Sequence, residues 1–181
     1  MSEELEVLRI VAQRLDQSKI VYMISGSMAA NLYSVPRMTR DIDIVVELKS
    51  IGIDAFVKIF EKDFFVDKDM VREEVARGGV FNLIHKDYVI KIDFILRQLS
   101  EFQAMTFTRR RNVIIENQLM WFIAPEDLVL AKLWWAKDSC SEVQLNDARN
   151  ILRTVKNLDT NHIKDWVAQL GLSHVAQKIG L

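Results

Sequence analysis

The segment Asp41-Ile42-Asp43-Ile44-Val45-Val46 carries the strongest chemical pattern in the chain. Side chains alternate along an extended strand, so Asp41 and Asp43 share one face while Ile42, Ile44 and Val46 share the other. Two carboxylates on one strand face repel each other unless water or cations neutralise them. One reading is a solvated sheet face. The other is a divalent cation, and magnesium prefers such hard oxygen ligands together with substrate phosphates. A second apolar segment, Val89-Ile90-Lys91-Ile92-Asp93-Phe94, repeats the arrangement with Lys91 and Asp93 on one face. If the two strands are neighbours, Asp93 joins Asp41 and Asp43. Such a cluster can hold two metal ions about 3.5–4 Å apart, one activating an attacking oxygen and one steadying a leaving oxygen. Asp93 is then the candidate general base, or a ligand of the activating metal.

Gly26-Ser27 follows an apolar run and opens a helical pattern. Unpaired N–H groups and the positive end of a helix dipole suit a phosphate there. Gly-Ser alone ends many strands without a ligand. Followed by the acidic strand, it gives a phosphate turn and then a metal strand, the order that suits a nucleoside triphosphate with bound magnesium. Lys132 lies in an apolar stretch, Leu128 to Ala136. It either reaches an anion (a triphosphate or an aspartate) or snorkels to solvent from a core helix. Lys91 either offsets the acidic cluster, binds a phosphate, or decorates an exposed face. Asp147 either orients a basic group or lies on a helix surface. Arg109-Arg110-Arg111 suggests a solvated strand face or a contact to a nucleic-acid acceptor, and Trp134, Trp135 and Trp166 suggest packing.

The elements that must position these groups follow from apolar periodicity. Helices are expected over 3–17, 28–33 (with Ser27 as cap) and 50–61, and strands over 20–24, 41–47, 80–84 and 88–96. Two short strands over 109–115 and 119–123 meet at Glu116-Asn117. After Pro125 the pattern is helical: 126–137, 142–156, 161–170 and 173–179. The expectation is an α/β (α+β) fold, a mixed β-sheet flanked by helices. Residues 1–124 form the α/β core and 125–181 a helical extension packed on it.

The chain has 181 residues, half of them hydrophobic, enough for a sizeable core. A net charge of −1 argues against a protein that coats nucleic acid through bulk positive charge. One cysteine, Cys140, cannot form an internal disulfide, and with three histidines it offers no cysteine-rich zinc site. The amino terminus lacks a signal-peptide pattern and no apolar run approaches the roughly 20 residues that span a bilayer. A cytoplasmic protein with no membrane partner is expected.

Gly26-Ser27, then Arg37-Met38-Thr39-Arg40-Asp41-Ile42-Asp43, then Lys91-Ile92-Asp93, resembles the nucleotidyltransferase (polymerase-beta-like) superfamily. Pro125 to Lys132, with Asp147, resembles further motifs of its bacterial abortive-infection branch, which includes toxins of toxin–antitoxin systems. Leu128 stands where that branch often has glutamine. The resemblance covers roughly residues 20–150. It implies a mixed sheet with the aspartates on adjacent strands, and Mg2+- or Mn2+-dependent transfer of a nucleoside monophosphate from a triphosphate to a hydroxyl, releasing pyrophosphate. Gly26 and Ser27 would hold the triphosphate, Asp41, Asp43 and Asp93 the metals, and Lys91 and Lys132 the phosphates. Arg37, Thr39 and Asp147 would support them. The acceptor stays open between tRNA, a protein hydroxyl and a small molecule such as an aminoglycoside. An antitoxin or a second copy of the chain is the implied protein partner. Two rival expectations are a catalytically inactive nucleotide-binding module on the same fold, and a structural partner that docks through Trp166, Val167, Leu170, Leu172 and Val175.

Overall fold

The computed structural model describes residues 2–139 and 141–181, so Met1 and Cys140 lie outside the described residues. A seven-stranded mixed sheet forms among them: β1 Tyr22–Ile24, β2 Asp41–Val46, β3 Phe64–Phe65, β4 Val80–His85, β5 Lys91–Leu96, β6 Arg111–Ile115 and β7 Gln118–Phe122. Their order across the sheet is β3-β4-β5-β2-β1-β7-β6. The two central strands, β2 and β5, run parallel, with Asp43 paired to Asp93. Strand β1 lies antiparallel to β2 on one side, and β4 antiparallel to β5 on the other.

Alternation decides what each face meets. Ile42, Ile44, Val46, Ile92, Phe94 and Leu96 are buried on one face. Helix α3 (Ile53–Phe60) covers that face, with the Phe56 ring against Phe81 and Phe94 and the Phe60 ring against Phe94. Helix α1 (Glu3–Gln17) buries Val7, Leu8, Val11, Ala12 and Leu15, and its Arg14 ties it to Asp63 just beyond α3. On the other face lie α2 (Gly26–Tyr33), α5 (Glu101–Arg109) and the helices that follow β7. Those are α6 (Pro125–Ser139), α7 (Glu142–Thr154), α8 (Thr160–Gln169) and α9 (Ser173–Ala176). Helix α6 is buried on nearly every side and packs against α2, α7, α8 and α9. No helix among the described residues is long and apolar enough to cross a membrane.

Several expectations need correction. Ser27 does not cap α2: the helix begins at Gly26 and Ser25 occupies the cap position. Helices α4 (Lys68–Arg77) and α5, and the short β3, escape apolar periodicity. Helix α4 buries only Val71 and Glu74, so its stripe is too narrow to register. Its caps were the better signal, because the Asp67 side chain accepts from the N–H groups of Asp69 and Met70. Helix α5 carries the same mark at Ser100, which accepts from Gln103 N–H. Strand β5 begins at Lys91 rather than 88, since Val89 has a left-handed backbone (φ 54°). Glu116 and Asn117, with φ 49° and 63°, make the expected two-residue hairpin turn.

The three consecutive arginines are not a solvated face. Arg109 Nε lies 3.1 Å from Asp127 Oδ2, and Arg111 Nη2 lies 3.2 Å from Glu126 Oε2. Arg110 sits over the Trp121 ring at 4.4 Å. Asp127 is fully buried at the start of α6, and His162 Nε2 of α8 lies 2.7 Å from its Oδ1. One carboxylate thus joins α5, α6 and α8. Removing one partner of a buried pair leaves the others uncompensated. Asp127→Ala is therefore expected to cost about 3–5 kcal/mol in urea denaturation; a loss below about 1 kcal/mol would mark the network as no stronger than a surface pair.

Candidate active site

Parallel register assembles the site from two alternating strands. Asp41 pairs with Lys91 and Asp43 with Asp93, all on the face opposite the Ile42 and Phe94 core. Lys91 Nζ lies 2.8 Å from Asp93 Oδ2 and 3.9 Å from Asp41 Oδ1. Asp43 is half-buried at the centre of this charge. Its burial, and then the neighbouring Asp93 carboxylate, raise its pKa above the ordinary value; Lys132 and Lys91 offset part of that, while Asp41 adds to it. Lys91 is raised in turn, chiefly by its hydrogen bond to Asp93.

The Gly26-Ser27 turn is built against Asp43. Ser25 N–H donates to the Asp43 carbonyl at 2.9 Å, which aligns the start of α2 with β2. Gly26 has φ 58°, and a Cβ there would meet Asp43 Oδ2 at 1.8 Å. Only glycine allows both the left-handed turn and the close approach. The first-turn N–H groups of α2 carry the helix's partial positive charge.

Behind this turn, Arg37, Asp147, Lys132 and Ser27 form one network. Lys132, 3% exposed, reaches Asp147 Oδ2 at 2.9 Å, so it pairs with an aspartate and does not snorkel. Arg37 donates from Nε and Nη2 to the two Asp147 oxygens, each at 2.9 Å, and from Nη2 to Ser27 Oγ at 2.7 Å. Asp147 is buried, not on a helix surface. Burial alone would raise it, but the Arg37 and Lys132 hydrogen bonds and charges hold its carboxyl below the usual range. Since Ser27 Oγ accepts from Arg37, its hydroxyl hydrogen is available to a phosphate oxygen.

A cavity of about 210 Å³ opens between these groups, lined by Gly26, Ser27, Asp43 and Lys132, and by Leu128, Trp135 and Gln144 from α6 and α7. One of its walls, Gln144, and one residue outside it, Asn31, escape sequence reasoning. Gln144 Oε1 is buried without a hydrogen-bond partner, an acceptor position the ligand can satisfy. Asn31 grips the Arg37 backbone at both its N–H and its carbonyl, holding the loop before β2. No periodicity signals either residue. Thr39 lies apart from the cavity, its hydroxyl donating to the Asp41 carbonyl at 3.3 Å. Trp134 and Trp135 are 49% and 60% exposed, so neither is core packing, and Trp135 lines this cavity.

Among the described residues, no three acidic, histidine or cysteine side chains are already gathered as a metal cage. The donor set nevertheless fits a hard divalent cation: Asp41, Asp43 and Asp93 supply only carboxylate oxygens, on one sheet face, with like-charge repulsion a cation would relieve.

No protein-family model matches the sequence, and no curated protein is significantly similar to it. Solved structures are similar in fold. An antigenic nucleotidyltransferase-like protein from Paracoccidioides brasiliensis matches with a TM-score of 0.57 at 20% identity, over 97% of this chain and 93% of that one. The lincosamide antibiotic adenylyltransferase LnuA, bound to lincomycin, matches with a TM-score of 0.56 at 14% identity, over 86% and 98%. The antibiotic-resistance factor ANT(2'')-Ia matches with a TM-score of 0.60 at 14% identity, over 95% and 92%. The chain therefore has the nucleotidyltransferase fold. The likeness does not single out a branch.

Two substitutions test this geometry. Gly26→Ala is expected to lower stability by about 1–3 kcal/mol, through a strained φ and a displaced Asp43; an unchanged melting temperature would deny the close approach. Asp43→Asn removes a raised, repelled carboxylate, so the metal-free protein should melt about 2–4 °C higher, equivalent to roughly 1 kcal/mol. A fall in melting temperature would mean that Asp43 is held by partners rather than strained by neighbours.

Proposed function

We propose that this chain transfers a nucleoside monophosphate from a magnesium-bound nucleoside triphosphate to a hydroxyl acceptor and releases pyrophosphate. One observation carries the reading: Asp43 faces Asp93 across adjacent parallel strands, with Asp41 on the same face, beneath the amino terminus of α2 and beside buried Lys132. The α2 N–H groups and the Ser27 hydroxyl bind the terminal phosphates, and Lys132 adds positive charge where negative charge builds on the leaving pyrophosphate. Asp41, Asp43 and Asp93 hold Mg2+ or Mn2+, which when bound neutralises phosphate oxygens and acidifies the acceptor hydroxyl.

The acceptor oxygen forms a bond to the α-phosphorus while the bond from that phosphorus to the bridging oxygen breaks. The electron pair leaves with pyrophosphate. The hydroxyl proton passes to Asp93, the carboxylate of β5 that lies opposite Asp43. Lys91 holds Asp93 in place until then and afterwards balances the charge of the site. Arg37, through Asp147 and Ser27, positions the phosphate turn, and Gln144 bonds the donor's sugar or base. Fold neighbours whose names state lincosamide adenylylation and antibiotic resistance support the small-molecule class of acceptor.

Thermal shift with each nucleoside triphosphate and magnesium tests the donor site. A triphosphate at a hundredfold excess over its Kd should stabilise the protein by about 2.7 kcal/mol. Asp41→Ala combined with Asp43→Ala should abolish the effect. Asp93→Ala should keep much of that binding while transfer of labelled nucleotide falls about 10²–10⁴-fold. Metal-dependent binding with no transfer by wild type to any cellular acceptor would instead make the chain a nucleotide-binding module.

A further inference from the structure

A second cavity, about 620 Å³, lies on the same sheet face as the carboxylates. Its floor is the next row of the same strands: Met23 pairs with Val45, Val45 with Ile95, and Ile95 with Val80, two residues along from Asp43 and Asp93. That places the floor about 7 Å from the carboxylate row. The two cavities share Ser25, Ile95, Ala131 and Trp135 as walls, so a charged cavity and an apolar one lie side by side.

We propose that this apolar cavity is the acceptor site, and that it takes a drug-sized, uncharged or cationic molecule with an aromatic or aliphatic face, not a nucleic acid. The inference rests on the transfer reading above and assigns its substrate class. Its volume falls in the range of small-molecule sites, about 300–1,000 Å³. Trp134, Trp135, Trp166 and Phe102 supply rings from three helices, and aromatic faces attract apolar rings and cations alike. Among the described residues that line it, none is Lys or Arg, and Glu101 is the one ionisable group. A phosphate backbone is recognised through cations, so a polyanion meets no counter-charge here. Two cations on bordering elements are engaged: Lys137 lies over the Trp134 ring with its ammonium 3.5 Å from the Leu170 carbonyl, and Arg97 pairs with Glu47. Gln98, Gln103 and Gln169 offer amides that can orient the acceptor's hydroxyl groups. The acceptor hydroxyl then points along the strands towards Asp93, opposite the phosphate turn.

The test uses Nile red, an uncharged aromatic dye, with the full chain. It should bind one-to-one, stay bound when magnesium and a stabilising triphosphate saturate the donor site, and ignore added tRNA. Trp134→Ala, which touches only the larger cavity, should weaken the dye about tenfold. Gln98→Trp, in an exposed loop, should fill the cavity and abolish dye binding while the triphosphate thermal shift and circular dichroism stay unchanged. Triphosphate-dependent stabilisation without dye binding would overturn the inference and leave the transfer reading standing. Displacement of the dye by the triphosphate would assign the cavity to the donor's base, and displacement by tRNA, or label transferred to tRNA, would assign it to a nucleic acid; each overturns the proposal. Dye binding that follows both variants, in a protein no triphosphate stabilises, would overturn the acceptor role together with the reading beneath it.

Discussion

The parallel register of β2 and β5 sets Asp43 against Asp93 in the middle of the sheet, and much of the surrounding structure manages the repulsion that results. A parallel pair needs a crossover, and here α3, β3, α4 and β4 together make it. Aromatic packing of α3 on Phe81 and Phe94 fixes the far face and therefore the register. A one-residue slip would turn the aspartates into that core. The carboxylates are thus held together by hydrophobic contacts on the opposite side of the strands. Lys91 and Lys132 supply part of the missing positive charge.

The helical half is part of the site and not an appendage. Lys132 on α6 and Asp147 on α7 meet in a buried pair, and Arg37 extends it to Ser27 on α2. A buried ion pair roughly breaks even against apolar packing, so its value here is directional. It fixes where α6 and α7 sit relative to the phosphate turn. It also leaves Lys132 near Asp43, where a lysine on a freely moving helix would be solvated.

Alternation made the central strands, the shared face of the aspartates and the charged cavity legible in sequence. Residue type alone leaves Lys132 between an anion and solvent, because its stretch is apolar all round; its pairing with Asp147 depends on α7 packing against α6, which no local pattern encodes. Asp147 was ambiguous for the same reason. Arg109 and Arg111 misled because their partners, Glu126 and Asp127, lie across a hairpin, and a strand-like run of arginine reads as exposed until that hairpin folds back. Gln144 and the glutamine-lined cavity were invisible: polar residues on α5, α7 and α8 become cavity walls only through the angle at which those helices cross the sheet. Helices α4 and α5 carry their signal in the capping side chains Asp67 and Ser100 rather than in apolar spacing.

The face that presents Asp41, Asp43 and Asp93 continues as Met23, Val45 and Ile95, so charge gives way to apolar surface within a single residue pair. Apolar floor beside charge lowers the local dielectric response, which strengthens every charge–charge interaction at the carboxylates. Asp43 is raised first by its own burial and then by the Asp93 carboxylate beside it. The apolar floor also favours a cation there more than the same three aspartates would on an open sheet. The gradient along the strands therefore does two things at once: it sharpens binding at the charged end and leaves a surface at the other end that phosphates avoid.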